Sequence, residues 1–461
     1  MSFVDILTTV GFLLAILMIG LIAAKRVNTN SDYLIAGNKV GKWPLALSLA
    51  ATDMGGAGII GTMALAYSVG ISGSFWDICA VPGLLILAFI LPKIFAGRRE
   101  ITVPELMGNQ YDEKTRTIVA FLQLISAAIV IAVQNIVTSI VIQTLTGVPF
   151  EYALLISAVV FIIYTTAGGM ISVIWTDIFA FLVLFISMIA AVVIITLNMG
   201  GLEAVTNSVP AHYWNFDGVS GMTVGGWVMM NMFIYATSQP YIQRVLAAKE
   251  KSSVKFAYIF TGLAYIVFGL LVALLGIFAF NIDPSLKDAG YGSIRLIFMN
   301  LPHGIRSMLM VTFMAATMST GSSYLNGCAS ICTIDIYKRL INKNASDLDY
   351  LRVAKLSTIL IAVISLVISY FIKDIIEFVV YANMIYAATI FFPLMLCYKI
   401  KWLSANGAFY GILGGFLSGV IYSTFLHGTE VGMIHPIFIA AFFSLFILMT
   451  VSYVERKSLL S

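Results

Sequence analysis

Charge is what this chain has least of. Only 10% of its 461 residues are Asp, Glu, Lys or Arg, while 60% are hydrophobic; a soluble domain carries roughly 25% charge. A water-facing surface cannot be made from so few charges, so a soluble globular protein is excluded. Histidine and cysteine are equally scarce, at four each. His212, His303, His427 and His435 fall in or beside connections expected on the outer side, which argues against an intramembrane histidine proton relay. Cys79, Cys328, Cys332 and Cys397 lack zinc-site spacing and lie in spans or near internal ends, where disulfides are not expected. They read as small apolar fillers. No nucleophile motif, phosphate loop or metal-ligand cluster is present, so the chain is not read as an enzyme.

What the chain has is long apolar runs. Thirteen segments approach or exceed the roughly 20 residues that span a bilayer: about 4–24, 44–69, 75–97, 117–146, 151–167, 171–199, 223–247, 254–281, 304–331, 351–372, 376–398, 406–425 and 434–454. The first has no basic flank or cleavage site, so it is expected to remain as a helix and not to be removed as a signal peptide. Connections are short, and 1–461 is expected to form one all-α polytopic membrane domain. With the N-terminus outside, all but Lys287, Arg295, Arg306 and Lys373 of the 26 basic residues fall on the inner side. The positive-inside rule favours that orientation, with a cytoplasmic C-terminus, in a plasma (bacterial inner) membrane. The net charge of +4 then reports topology, not nucleic-acid binding. The expected partners are the lipid bilayer and a small-molecule solute; no obligate protein partner is indicated.

Two spans are interrupted. The second contains Ala51-Thr-Asp-Met-Gly-Gly-Ala-Gly58 and the seventh contains Tyr235-Ala-Thr-Ser-Gln-Pro240. Gly and Pro undermine the helical hydrogen-bond ladder, and in a bilayer the freed backbone must meet protein, water or a ligand. The breaks lie an odd number of spans apart, so their helices run in opposite directions. Two inverted five-helix units, with the breaks near the midplane, would give that pattern and would mark a transport site. Close helix packing through small residues is the other reading of Gly58 and Gly61.

The ninth span carries a hydroxyl cluster, Ser319, Thr320, Ser322 and Ser323, in otherwise apolar sequence. Single hydroxyls bond back to their own helix; four together leave spare oxygens on one face, suited to a hard cation such as Na⁺.

These segments resemble the sodium/solute symporter family, whose members carry proline, sugars, sialic acid, pantothenate and choline. The resemblance rests on Ala51-Thr-Asp-Met54, Tyr164-Thr-Thr-Ala-Gly-Gly169, Ile174-Trp-Thr-Asp177, Gln239-Pro-Tyr-Ile-Gln-Arg-Val-Leu-Ala-Ala248, Ala316-Thr-Met-Ser-Thr320 and Asp335-Ile-Tyr-Lys338, in order along most of the chain. It implies a leucine-transporter-like core of five plus five helices. Segment 44–199 would be the first repeat and 223–398 the inverted second, with 4–24 and 406–454 peripheral. It also implies a Na⁺ site built from the carbonyls of Ala51, Met54 and Ala316 and the hydroxyls of Ser319 and Thr320. Some members add a second cation, for which Asp177, Ser322 and Ser323, with Ser319 shared, fit the pattern. The competing reading of Asp177 is a helix cap or an ion pair with an internal basic residue.

Asp53 lies in the glycine break. It could act through water on the ion, hold a solute ammonium, or simply cap the helix that resumes. Asp77, beside Trp76 near an outer helix end, is read as a solvated end residue next to an interfacial aromatic; the alternative is a pair that attracts a cationic solute. Candidate solute contacts are Asp53, Gln134, Thr237, Ser238, Gln239, Tyr241 and Asn383, with Asn135, Asn231, Tyr381 and Tyr386 also polar in the core. The expected function is Na⁺-coupled import of a small polar solute, an amino acid or amine. Proton-coupled or uncoupled transport is the alternative; a transporter-like sensor is disfavoured, because the chain stops a few residues past the last span.

Overall fold

The computed structural model describes residues 3–287, 289–371, 384–426 and 434–460. Among them the architecture is all helical, with one isolated bridge between Val40 and Ala248. The α-helices in chain order are α1 (Phe3–Ala24), α2 (Asn30–Ile35), α3 (Lys42–Asp53), α4 (Gly56–Val69), α5 (Phe75–Ile78), α6 (Ala80–Ile94), α7 (Val103–Gln110), α8 (Glu113–Thr146), α9 (Phe150–Asn198) and α10 (Leu202–Asn207). They continue as α11 (Gly221–Thr237), α12 (Gln239–Ala247), α13 (Lys251–Ile282), α14 (Ala289–Asn300), α15 (Ile305–Ile331), α16 (Asp347–Ser369), α17 (Thr389–Leu396), α18 (Ala405–Phe425) and α19 (Pro436–Leu460).

Eight helical stretches among the described residues are long and apolar enough to cross a membrane. The other expected spans fall short for physical reasons. The second and seventh are broken, as the Gly and Pro residues require. The eleventh lies partly outside the described residues. The ninth, α15, is long but rich in hydroxyls, and its centre explains why: every side chain from Leu309 to Ile331 is buried. A helix that meets protein on all sides can be polar where a lipid-facing one cannot. α1 shows the converse, exposing Phe3, Leu7, Leu14, Met18 and Ile22 along its length. It packs on α9 and α15, while α18 packs on α19 at the far end of the chain.

The boundary between the fifth and sixth spans falls in the gap expected between residues 167 and 171. The fifth and sixth spans are not separated by a loop: a single residue, Gly169 (φ 52°, ψ −142°), divides α9 into arms 150–168 and 170–198. An L side chain rarely adopts that φ, and a Cβ there would stand 2.3 Å from the Tyr33 carbonyl oxygen. Only glycine turns the chain here.

Ion pairs tie both ends of the bundle. Arg116 Nε donates to Asp335 Oδ1 at 2.7 Å, and Thr102 Oγ1 to Asp335 Oδ2 at 2.7 Å, near the ends expected inside. At the other end, the buried Asp5 carboxylate accepts from Arg306 at 2.5 Å and contacts His303 Nδ1 at 3.2 Å. That contact fixes α1 to the start of α15.

Candidate functional site

The first break can be followed bond by bond. Met54 N–H still reaches the Ala50 carbonyl at 3.1 Å, but Gly55 N–H turns back to Asp53 O at 2.7 Å. Met54 (ψ 61°) and Gly55 (ψ 173°) leave the helical region, and α4 resumes at Gly56. Gly56 N–H, orphaned by the break, donates to Gln134 Oε1 at 3.0 Å. The Thr52 carbonyl takes the Thr320 hydroxyl at 2.7 Å in its place. The Ala51 and Met54 carbonyls accept no hydrogen bond among the described residues. Buried carbonyls are rarely left so.

The hydroxyls opposite have their protons committed elsewhere. Ser319 Oγ donates to Asp177 Oδ1 at 2.6 Å. Thr320 Oγ1 lies 2.7 Å from Thr52 O and 3.1 Å from Ala316 O, both of them acceptors. Each oxygen therefore keeps lone pairs that a cation could use. Neutral carbonyl and hydroxyl oxygens are hard donors without net charge, and they fit a monovalent hard cation.

Asp177 has the basic partner that local sequence hid. Arg244 Nη2 donates to Asp177 Oδ2 at 2.8 Å, and the arginine is only 1% exposed. Ser48 Oγ adds a bond to Oδ2 at 2.6 Å, with Thr52 Oγ1 at 3.4 Å. Arg244 also donates to Ser48 (Nε, 3.0 Å), the Pro240 carbonyl (Nη1, 3.0 Å) and Ser323 (Nη2, 2.8 Å). The network joins α3 before the first break, α12 after the second, the long arm of α9 and α15. Ser322 is not drawn in, since its hydroxyl donates to the Ser319 carbonyl at 3.0 Å.

Beside the first break lies a cavity lined by Asp53, Gly58, Trp76, Asp77, Gln134, Asn231, Tyr241, Tyr265, Thr320 and Tyr324 among others. Tyr241 OH donates to Asp53 Oδ1 at 2.5 Å; Oδ2 of the same carboxylate is buried without a hydrogen bond. Of the polar core residues singled out in the sequence, the cavity gathers Asp53, Gln134, Asn231 and Tyr241. The other described ones lie elsewhere. Gln239 is held by backbone, accepting from Val103 N at 2.8 Å and donating to Ile101 O at 2.9 Å. Thr237 Oγ1 bonds back to Phe233 O at 2.7 Å within its own helix, as a packing residue does. Ser238 lines a smaller second cavity with Tyr324 and Tyr386, whose hydroxyls are 3.5 Å apart. Tyr381 and Asn383 fall outside the described residues, and Asn135 does not line the main cavity.

Asp77 is a correction. It is 4% exposed, accepts the Thr62 hydroxyl on Oδ2 at 2.6 Å and lines the main cavity, so it is not a solvated end residue. Trp76 likewise sits inside, edge-on to Trp227 with ring centroids 5.1 Å apart. Sequence reasoning also missed Arg244, Ser48, Tyr265 and Tyr324. Ser48 and Thr52, one turn apart on α3, were the available signal for a shared polar face.

The profile of the Sodium:solute symporter family matches residues 33–415. A sodium/glucose cotransporter of Vibrio parahaemolyticus is 27% identical over 410 residues, covering 80% of this chain and 75% of that protein. A sodium/proline symporter of Escherichia coli K12 is 27% identical over 447 residues, covering 90% and 86%. Among solved structures, a substrate-bound, outward-open Na⁺-coupled sialic acid symporter superposes with a TM-score of 0.84 at 20% identity, over 98% of both chains. A nucleobase-cation-symport-1 family transporter, closed around bromovinylhydantoin, gives 0.63 at 14% identity, over 94% of this chain and 96% of that one. These likenesses show the fold, a leucine-transporter-like pair of inverted five-helix repeats.

Proposed function

The chain belongs to the sodium:solute symporter family, a family of membrane transporters and not of enzymes, and from that premise we propose that it imports an amino acid or amine together with Na⁺. One observation carries the ion site: the Ala51 and Met54 carbonyls, stripped of donors by the break, flank the Thr52 carbonyl that Thr320 reaches, and the Ser319 and Thr320 oxygens have spent their protons. With the Ala316 carbonyl they make five neutral ligands. Sodium there would bridge α3 and α15, steadying the outward-open arrangement. Return through the inward-open one would then let the ion gradient drive the solute, each charge moved adding about 2.3 kcal/mol per 100 mV.

The solute would occupy the cavity beside the break, with its ammonium on Asp53, whose Oδ2 accepts no close hydrogen bond, and with Gln134 and Tyr241 as further contacts. A second Na⁺ on Asp177, Ser319, Ser322 and Ser323 has less support, because Arg244 already balances the carboxylate and Ser322 is bonded within its own helix. We assign the repeats to 44–199 and 223–398, with 4–24 and 406–454 peripheral. The orientation follows the basic residues: N-terminus outside, C-terminus cytoplasmic, in the plasma (bacterial inner) membrane. Uptake of a radiolabelled solute panel into proteoliposomes tests the reading. Accumulation that needs an inward Na⁺ gradient supports it; equal uptake without Na⁺ refutes it.

A further inference from the structure

The cavity holds more acid groups than Na⁺ symport of a neutral solute needs. Asp53 and Asp77 both line it, and no Lys, Arg or His is among the described residues that do. Arg244 is outside the lining and committed to Asp177. Carboxylates in a membrane interior are expensive unless a cation answers them. A sodium ion beside Met54 could answer Asp53. Asp77 would still stand alone.

The two carboxylates are each half satisfied, in complementary ways. Asp53 Oδ1 takes the Tyr241 hydroxyl, and its buried Oδ2 accepts no close hydrogen bond, although the Tyr235 and Tyr265 hydroxyls also act on this carboxylate. Asp77 Oδ2 takes the Thr62 hydroxyl, and its Oδ1 accepts no hydrogen bond from a described residue. The space beside that oxygen is kept by Gly58, where a Cβ would come within 3.0 Å of it. Trp76 and Tyr265 add aromatic lining, and ring faces attract cations.

We propose that the transported solute carries net positive charge, an amine without a carboxylate, held between Asp53 and Asp77, and that Asp77 sets this specificity. The inference rests on the symport reading above and narrows its solute. A zwitterionic amino acid would bring its own carboxylate into a cavity that already has two acids and no basic side chain to receive it. Like charges that close oppose binding. An amine brings only what the site lacks.

The test uses the purified full-length protein in detergent with NaCl, and follows tryptophan fluorescence as putrescine, ethanolamine, L-proline or L-alanine is added. Thermal stabilisation by NaCl alone is recorded in parallel as the fold control. The two amines should bind at least about tenfold more tightly than the two zwitterions, the size of a charged hydrogen bond. Asp77→Asn should lose that preference, and Asp77→Glu, which keeps the charge, should retain more of it. Proline or alanine binding as tightly as the amines, no response to either amine, or an Asp77→Asn protein with the wild-type preference would overturn the proposal. Amine binding without any stabilisation by NaCl would support the cationic site while removing the basis for sodium coupling.

Discussion

Breaking the Asp177–Arg244 pair separates two accounts of the acid at the centre of the bundle. Arg244→Met keeps much of the side-chain volume but strips Asp177 of its only basic partner among the described residues, leaving hydroxyls from Ser48, Ser319 and, at 3.4 Å, Thr52. Asp177→Asn leaves the guanidinium with the Pro240 carbonyl, Ser48 and Ser323. Both partners are almost wholly buried, so neither orphaned charge can fall back on water. Removing one member of such a pair costs about 3–5 kcal/mol. Removing both takes the uncompensated charge away, so the double variant should cost less than the sum of the singles by about 2 kcal/mol or more. Unfolding titrations in a fixed detergent would give all four corners of the cycle. The dependence of uptake on Na⁺ supplies the second readout. If Asp177 serves the pair, Asp177→Asn lowers stability and leaves the slope of that dependence unchanged. If it holds an ion, the wild-type slope exceeds one and falls towards one in the variant. Additive single effects below about 1 kcal/mol, the range of exposed pairs, would refute the structural role argued here.

Three further outcomes follow from the break and from the turn in α9. Asp53→Asn, nearly isosteric, should express and purify like the wild type yet lose most Na⁺-driven uptake; unimpaired uptake kinetics would leave only helix capping for this residue. Gly55→Ala should weaken Na⁺ binding, because its Cβ would stand 2.6 Å from Thr320 Oγ1 and 3.3 Å from Gln134 Oε1; normal Na⁺ affinity in a binding assay would show that the approach of α15 to the break is not needed. Gly169→Ala should fail at folding, since it meets both a disfavoured φ and the Tyr33 carbonyl; a monodisperse protein on gel filtration would contradict the geometry.

The sequence carried the breaks in plain view, because Gly55-Gly56 and Pro240 act locally on the hydrogen-bond ladder and need no tertiary information. The hydroxyl row of α15 was legible for the same reason: four polar side chains in an apolar run demand protein around them. What depended on distant partners was not legible. Arg244 lies 67 residues from Asp177, and nothing local announces the pair. Asp77 looked like a helix-end acid because Trp76 beside it resembles an interfacial anchor; only the packing of Gly58 and Gly61 against the two shows how they turn inward. Thr237 and Gln239 misled in the opposite sense. Polar residues at a break suggest a ligand, but Thr237 bonds back within its own helix and Gln239 pairs with the backbone of the 101–103 segment. The turn between the fifth and sixth spans at Gly169 was legible as the short gap between two apolar runs, because glycine acts locally on the helix.

The central claim is that α3 and α15 share a sodium ion at the break. Equilibrium binding of radiolabelled Na⁺ to the purified protein tests it without requiring the solute to be known. The wild type should bind Na⁺ saturably, and the Ser319→Ala/Thr320→Ala double variant, folded by gel filtration, should lose that binding. A double variant that binds Na⁺ with wild-type affinity would contradict the account.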